Sequence, residues 1–384
     1  MKEAVIVSAV RSPMGRAEKG LLKNMRIDDL GALVVKEALR RVPGLDLAEI
    51  QAVLIGCAMP EGEQGMNIAR NISLLAGIPF SAAAVTTNRF CASGLETINT
   101  AALNIMAGNG EVYVAGGVES MTHVPMGGFN PSLNGKLLEP GAPAAYISMG
   151  LTAENIAEKY KISRLEQDEF AFASHQKAVK AMKEGKFKNE MISVEVLTPE
   201  GVKVLDRDEN PREDSSVEKL STLKPVFKVD GSVTAGNSSP LTDGAAAVVM
   251  MSADRAKALG LKPLARIRAM AVAGCDPAFM GIGPVPAVQK VLKRAGMSIK
   301  DIDIIEINEA FAAQSIASLR ELGADLSKVN PHGGAIALGH PLGCSGSRIM
   351  ATLINDLFTY NKTIGLETMC IGGGQGAATI IERL

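Results

Sequence analysis

GLDLAEIQAVLIG at residues 44–56 and GMSIKDIDIIEIN at residues 296–308 align with each other without a gap. Each stretch follows a helical pattern that ends in basic residues, and each contains a short apolar run typical of a buried strand. A second pair of strand-like runs, at 114–117 and 370–373, follows at similar intervals. Because an internal repeat marks duplicated structure, the sequence predicts two copies of one fold, packed about a pseudo-twofold axis. A site at their junction would draw residues from both copies.

Strands and helices alternate outside the middle of the chain. The predicted elements of the first part are a strand at 4–9, a helix at 28–41, a strand at 52–56, a helix at 67–75 and a strand at 112–117. This alternation is typical of an α/β fold with helices on both faces of a parallel or mixed sheet. From 118 to 241 the pattern changes: helices are predicted at 152–160 and 164–184, and residues 200–232 are charged and predicted to be irregular. A segment of this length is too long for a simple connection, so residues 118–241 are predicted to form an insertion that covers a ligand.

The charge balance argues against nucleic acid as a partner. Forty basic and 41 acidic residues give a net charge of −1. The chain therefore lacks the excess of positive charge typical of proteins that bind nucleic acid. No run reaches the roughly 18 apolar residues of a membrane helix, and the N-terminus lacks the pattern of a signal peptide. We therefore expect a cytoplasmic protein without a membrane span. The five cysteines form no CxxC pair, which favours free thiols over disulfides.

Cys91 lies in the stretch NRFCASG at residues 88–94, which is typical of a tight turn into a helix. A cysteine at a helix start lies among unpaired backbone N–H groups and at the positive end of the helix dipole, which can lower the pKa of its thiol. The small residues after it leave room for a substrate carbonyl. The alternative is a buried cysteine that acts only as a small apolar side chain, the commoner role of a lone cysteine.

His340 is the histidine best suited to act as a base for Cys91. Imidazole titrates near neutral pH, and only this one of the four histidines is framed by glycine and proline in a turn that leads into a helix. A nucleophile and a base are two of the parts that acyl transfer requires. A metal site formed with Cys344 is not predicted, because no further ligands cluster nearby.

Two further candidates follow predicted strands. Cys370 precedes Gly372 in a glycine-rich turn able to present backbone N–H groups to an anion, and a second cysteine there suggests a second proton-handling step. Asn308 has two interpretations: its amide holds a water or a carbonyl oxygen in place, or it caps the helix that follows.

Five long motifs, in order, show that the chain resembles the thiolases over essentially its whole length. They are NRFCASG at 88–94, AGGVESM at 115–121, NEAF at 308–311, GGAIALGHPLGCSG at 333–346 and CIGGG at 370–374. The resemblance implies two similar mixed-sheet α/β halves with an inserted loop domain that binds coenzyme A. The predicted boundaries are 1–117 with 242–263 for the first half, 118–241 for the inserted domain and 264–384 for the second half.

The resemblance also implies roles for individual residues. Cys91 would carry the acyl group as a thioester, His340 would take its proton, and Cys370 would exchange the α-proton of the acetyl unit. Asn308 with a bound water, beside His340, would form one oxyanion hole, and the backbone N–H groups of Cys91 and Gly372 would form the other.

The coenzyme A contacts are likewise implied by the resemblance. Ser239 would contact the pantetheine arm, Met149 would line the pocket, and Arg212 would lie near the adenosine phosphates. Coenzyme A is then a co-substrate, and no tightly bound cofactor or metal is expected.

Three functions stay open within the resemblance. SMGLTAEN at 148–155 is similar to the degradative 3-ketoacyl-CoA thiolases of fatty-acid β-oxidation, whereas short-chain enzymes usually have a histidine where Ser148 stands. Pro240 replaces a glycine common in the biosynthetic branch. The alternatives are a short-chain acetyl-CoA C-acetyltransferase and an acyl-CoA-binding protein without activity. A homodimer or homotetramer is expected, as is association with a β-oxidation multifunctional enzyme.

Overall fold

The computed structural model describes residues 2–384. In chain order its strands are β1 (Ala4–Arg11), β2 (Gly15–Arg16), β3 (Ile50–Gly56), β4 (Ala83–Thr87), β5 (Val112–Ser120), β6 (Val194–Thr198), β7 (Gly201–Leu205), β8 (Thr242–Ser252), β9 (Ala265–Gly274), β10 (Ile304–Ile307), β11 (Ile364–Ile371) and β12 (Gln375–Arg383). Its α-helices are α1 (Ile27–Arg40), α2 (Ile68–Leu75), α3 (Ser93–Ala107), α4 (Met149–Lys159), α5 (Arg164–Lys183), α6 (Val217–Ser221), α7 (Ala253–Ala258), α8 (Pro284–Ala295), α9 (Ala312–Leu322), α10 (Ala335–Leu338) and α11 (Ser345–Thr359). No helix in residues 2–384 has the length and apolar character needed to cross a membrane.

The main sheet contains the same arrangement twice. Its strand order is β10-β11-β12-β9-β1-β8-β5-β3-β4. In the first half β3 is parallel to β5, β5 is antiparallel to β8, and β8 is antiparallel to β1. In the second half β10, β11, β12 and β9 repeat these orientations in the same order. The two halves join where β1 pairs with β9, at Val5 opposite Arg266 and Ile6 opposite Ala265. The predicted two-half α/β fold is confirmed, because the repeated stretches hold the equivalent strands β3 and β10.

Helices α3 and α11 also hold equivalent positions, and they pack against each other at the junction of the halves. A Cβ on Gly94 would lie 2.6 Å from Ser347 Oγ, and one on Gly346 would overlap the backbone of Leu95. Only glycine permits so close an approach. Helix α11 is buried from Ser345 to Leu357, so it lies in the interior of the molecule. The segments just before these two helices therefore meet, and they carry Cys91 and His340.

The inserted segment is more regular than predicted. Helices α4 and α5 begin and end within three residues of their predicted bounds. The predicted cap Ser163 accepts a hydrogen bond from the Glu166 N–H (3.2 Å), and the Glu166 carboxylate accepts one from the Ser163 N–H (2.8 Å). Within the region predicted to be irregular, β7 pairs with β6 as a hairpin and α6 forms a short helix. The prediction of irregular structure throughout 200–232 is wrong.

Three buried carboxyls stand close together behind the second half-sheet. Glu306 and Glu367 are paired across β10 and β11, and Asp356 lies on α11. Burial raises the pKa of each of the three. The charge of the buried Arg348 opposes the rise in all three but does not cancel it, so we expect each carboxyl to hold its proton to a higher pH in the folded protein than in the unfolded chain.

Replacing Glu367 with glutamine tests this expectation. A carboxyl whose pKa is raised by folding contributes fully to the stability of the folded protein when the pH is below its pKa in the unfolded chain, about 4.3. This contribution to stability is lost as the pH rises through the pKa of the folded protein. Glutamine never ionises, so E367Q is expected to raise the free energy of unfolding near pH 8, by about 1.4 kcal/mol for each unit by which folding raises the pKa of Glu367, and to change it little below about pH 4. Urea denaturation at both pH values measures the difference, with the exposed Glu195→Gln on β6 as control. An equal effect at both pH values would show that ionisation is not its cause.

Candidate active site

The turn that carries Cys91 is fixed by side-chain to backbone hydrogen bonds. Cys91 lies in a 3₁₀ turn at Phe90–Ala92, immediately before α3. Phe90 has a φ of +44°, a strained value for a residue with a side chain. Its N–H donates to Asn88 Oδ1 (2.8 Å), and its carbonyl accepts from Ser93 Oγ (2.6 Å). These bonds hold the strained turn and therefore the Cys91 sulfur.

Cys91 is expected to be a thiol, not a thiolate, at neutral pH. Burial raises its pKa to about 11, although the backbone N–H groups of Gly372 and of Cys91 itself oppose the rise. The prediction that the helix start lowers the pKa of Cys91 is therefore wrong in its net direction. Loss of hydration on burial raises the pKa by more than the two N–H groups lower it. The same two N–H groups, one from each half, lie at the sulfur. A base must accept the proton when Cys91 attacks.

His340 has the protonation state of such a base. Its Nδ1 lies 2.6 Å from Ser345 Oγ, which donates its own proton to the Pro341 carbonyl (2.9 Å). Nδ1 must therefore carry the ring hydrogen and donate to Ser345, which leaves the lone pair on Nε2. Burial, assisted by the charge of Arg348, lowers the pKa of His340 to about 3. The imidazole is therefore neutral at physiological pH.

Asn308 contacts the histidine and does not cap the next helix. Its Nδ2 lies 3.3 Å from His340 Nε2, whereas the N-cap of α9 is Phe311. Asn308 Oδ1 is buried and has no hydrogen-bond partner among residues 2–384. A buried amide oxygen requires a donor, and a water or a substrate group at this position would supply one. The geometry favours the first of the two interpretations of Asn308.

Replacing Asn308 with alanine is expected to lower kcat roughly 100-fold with little change in KM, because a lost oxyanion donor affects the transition state more than binding. Steady-state kinetics measure both constants. The surface variant Asn24→Ala serves as the control, since Asn24 is exposed. A rise in KM alone would instead assign Asn308 to substrate binding.

Cys370 is close enough to Cys91 for their charges to interact. It is fully buried near the end of β11, where burial raises the pKa of its thiol and a Cys91 thiolate would raise it further. Only one of the two sulfurs is therefore expected to be ionised at a time. The chain then turns through Gly373 and Gly374, whose φ values are +77° and +81°.

Two of the three predicted coenzyme A contacts lie beside these residues. Met149 packs on the apolar cluster that contains Cys370, and a Cβ on Gly372 would lie 3.5 Å from its sulfur. Ser239 donates its backbone N–H to the Ala310 carbonyl (3.0 Å), two residues beyond Asn308. Arg212 is exposed, and its backbone N–H donates to His175 Nδ1 (3.2 Å). Its role at the phosphates stays a prediction.

Ser345 is a functional residue that the sequence reasoning missed. It selects the tautomer of His340, yet a serine five residues after a histidine carries no signal of its own. The only sequence hint was its place in the glycine-rich motif at 333–346. Among residues 2–384, no three histidine, cysteine or carboxyl side chains are arranged to hold a metal ion.

Comparison with known proteins agrees with this arrangement. The family described as "Thiolase, N-terminal domain" matches residues 4–254, and the one described as "Thiolase, C-terminal domain" matches residues 261–383. The chain is 52% identical to the 3-ketoacyl-CoA thiolase of Bacillus subtilis and 53% identical to that of Shewanella loihica, over the full length of both partners in each case. Among solved structures, the acetyl-CoA acetyltransferase of Bacillus anthracis matches with a TM-score of 0.92 at 42% identity, covering 100% of this chain and 99% of that one.

Proposed function

The chain belongs to the thiolase family, and on that premise we propose that it cleaves 3-ketoacyl-CoA with coenzyme A to acetyl-CoA and a shortened acyl-CoA. The observation that carries the proposal is the Cys91 thiol, which has the N–H groups of Cys91 and Gly372 at its sulfur and packs in one apolar cluster with Leu342, two residues after the neutral His340. Acyl transfer requires a nucleophile, a base and hydrogen-bond donors for the oxyanion.

The first half-reaction breaks a carbon–carbon bond. The Cys91 sulfur attacks the 3-keto carbon while its proton passes to His340 Nε2, and the N–H groups of Cys91 and Gly372 stabilise the resulting alkoxide. The bond between the α and keto carbons then breaks, leaving an acyl group on Cys91. The enolate of acetyl-CoA takes its proton from Cys370. Asn308 and His340 stabilise the negative thioester oxygen of that enolate.

The second half-reaction restores the enzyme. The Cys370 thiolate takes the thiol proton of coenzyme A, whose sulfur attacks the acyl thioester on Cys91. The Cys91 sulfur leaves and recovers its proton from protonated His340. Because one thioester replaces another, the sequence runs in either direction.

The names of the relatives and one position support the 3-ketoacyl subtype, and the names agree with a role in fatty-acid β-oxidation. The relatives at 52% and 53% identity are called 3-ketoacyl-CoA thiolases. Ser148, where short-chain thiolases usually have histidine, caps α4 immediately before Met149. The second candidate, a short-chain acetyl-CoA acetyltransferase, is supported by the solved structure at 42% identity, because that protein is called an acetyl-CoA acetyltransferase.

Loss of the absorbance of the 3-ketoacyl thioester upon addition of coenzyme A tests these functions. Turnover of acetoacetyl-CoA and of longer 3-ketoacyl-CoAs is expected. Activity confined to acetoacetyl-CoA would favour the second candidate, and no turnover with any chain length would leave only acyl-CoA binding.

We further propose that the protein forms a homodimer through the edge strand β4. This strand pairs with β3 on one side only within residues 2–384. Val85 on β4 and Phe80 before it are 46% and 84% exposed, and an open apolar edge favours pairing with another chain. Light scattering measures the mass, and Val85→Lys is expected to shift it toward that of a monomer.

A further inference from the structure

Glu119 is a buried carboxylate that accepts hydrogen bonds from two separate parts of the chain. It lies near the end of β5 and is 1% exposed. The groups that donate to its two oxygens are Ala58 N–H (2.8 Å), Met59 N–H (3.1 Å), Gln64 Nε2 (2.9 Å), Gly343 N–H (2.7 Å) and the Cys57 thiol (3.8 Å). Every one of these partners is a donor, which is the pattern that an ionised carboxylate satisfies and a neutral acid does not. Burial raises the pKa of Glu119, and the hydrogen bonds from Ala58, Gly343, Gln64 and Met59 oppose that rise.

The donors come from both halves of the molecule. Cys57, Ala58 and Met59 follow β3 in the first half, whereas Gly343 lies in the second half, between His340 and α11. The contact is close, because a Cβ on Gly343 would lie 2.6 Å from Cys57 Cα. Glu119 therefore holds the turn after His340 against the first half.

The same carboxylate is connected to the Cys91 turn by two further bonds. The Ala58 carbonyl accepts from Asn88 Nδ2 (3.0 Å), and Asn88 Oδ1 accepts from the Phe90 N–H (2.8 Å), one residue before Cys91. One continuous chain of hydrogen bonds thus runs from the nucleophile turn through Glu119 to the turn that carries the base.

We propose that Glu119 is a positioning residue that sets the spacing between Cys91 and His340. It forms no hydrogen bond with the sulfur or the imidazole and acts on their spacing through Gly343 and Asn88. Its charge is the smallest of the effects on the pKa of Cys91, which it raises. The proposal rests on the proposed function, since spacing matters only where His340 takes the proton of Cys91. A displacement of about 1 Å in a catalytic pair costs roughly 100-fold in rate.

The decisive variant is Glu119→Gln, which keeps the shape and places an amide NH₂ against N–H donors. Its kcat for thiolysis is expected to fall roughly 100-fold with KM within about twofold of the unmodified protein. The matched control is Asp303→Asn. Asp303 also accepts two backbone N–H groups, from Thr363 (3.0 Å) and Ile364 (2.8 Å), but it lies at the opposite end of β10 from Asn308.

A readout without turnover separates this proposal from the proposed function. The rate of Cys91 alkylation by iodoacetamide is followed by mass spectrometry of its peptide as the pH is raised. In the unmodified protein His340 assists, so alkylation is expected at neutral pH. In Glu119→Gln the assistance is lost, and alkylation is expected to require alkaline pH, whereas Asp303→Asn keeps the original profile.

Asn88→Ala provides a second test, because it breaks the hydrogen bonds that connect Ala58 to the Cys91 turn. It is the only test if Glu119→Gln does not fold. It is expected to shift the alkylation profile in the same direction. An unchanged profile in a folded Glu119→Gln, or in Asn88→Ala where Glu119→Gln does not fold, overturns the proposal. A shifted profile in a protein without thiolysis would retain the positioning role and reject the proposed reaction instead.

Discussion

Cys91→Ser is expected to lower thiolysis by on the order of 10⁴-fold or more. The serine hydroxyl keeps the position and the hydrogen-bonding capacity of the thiol but is a far weaker nucleophile. His340, whose pKa is lowered to about 3, is too weak a base to activate it. The variant should also fail to form the covalent intermediate. Incubation with an acyl-CoA, followed by mass spectrometry, should add one acyl group to the unmodified protein and none to the variant.

Cys275→Ser is the matched control for this change. Its sulfur is half-buried and lies 4.0 Å and 3.9 Å from the carbonyl oxygens of Phe279 and Met280, too far for a strong hydrogen bond, so a serine loses little there. Near-normal activity and acylation are expected. Retention of more than about a tenth of the rate by Cys91→Ser would exclude Cys91 as the nucleophile, since such a rate requires an intact attacking group.

The duplication of the fold was predictable because short local stretches of the sequence repeat. The apolar runs at 50–56 and 304–307 specify equivalent strands, and the sheet places them in equivalent positions. The β6–β7 hairpin was harder to predict. Val194, Val196 and Thr198 are buried in alternation with exposed residues, but one of the exposed residues is the apolar Leu197. The sequence therefore lacks the alternation of apolar and polar residues that indicates a half-buried strand.

The electrostatics of the site were not predictable in the same way. A local view of Cys91 shows only a helix start, whereas the net direction of its pKa depends on burial by the second half of the chain. The role of Glu119 likewise has no local signal beyond its place in the motif at 115–121, because its bond to Gly343 spans 224 residues. Such effects arise from tertiary contacts and become visible only when the fold is known.

His340→Ala is expected to lower kcat by roughly 10³-fold near neutral pH, within the range that a general base contributes. The pH dependence gives the sharper test. In the unmodified protein the proton passes within the site, and no group in it titrates between its two pKa values of about 3 and about 11. The rate of Cys91 acylation by acyl-CoA should therefore be nearly flat from about pH 6 to about pH 9.

Without His340, Cys91 must ionise into water before it attacks. The residual acylation rate of His340→Ala is then expected to rise about tenfold for each pH unit, up to the pKa of the thiol. Ser345→Ala is the companion variant: it removes the acceptor of Nδ1–H but keeps the base, so a smaller loss and a flat profile are expected. A flat profile in His340→Ala would mean that another group takes the proton, since only an internal base makes ionisation of a buried thiol independent of bulk pH.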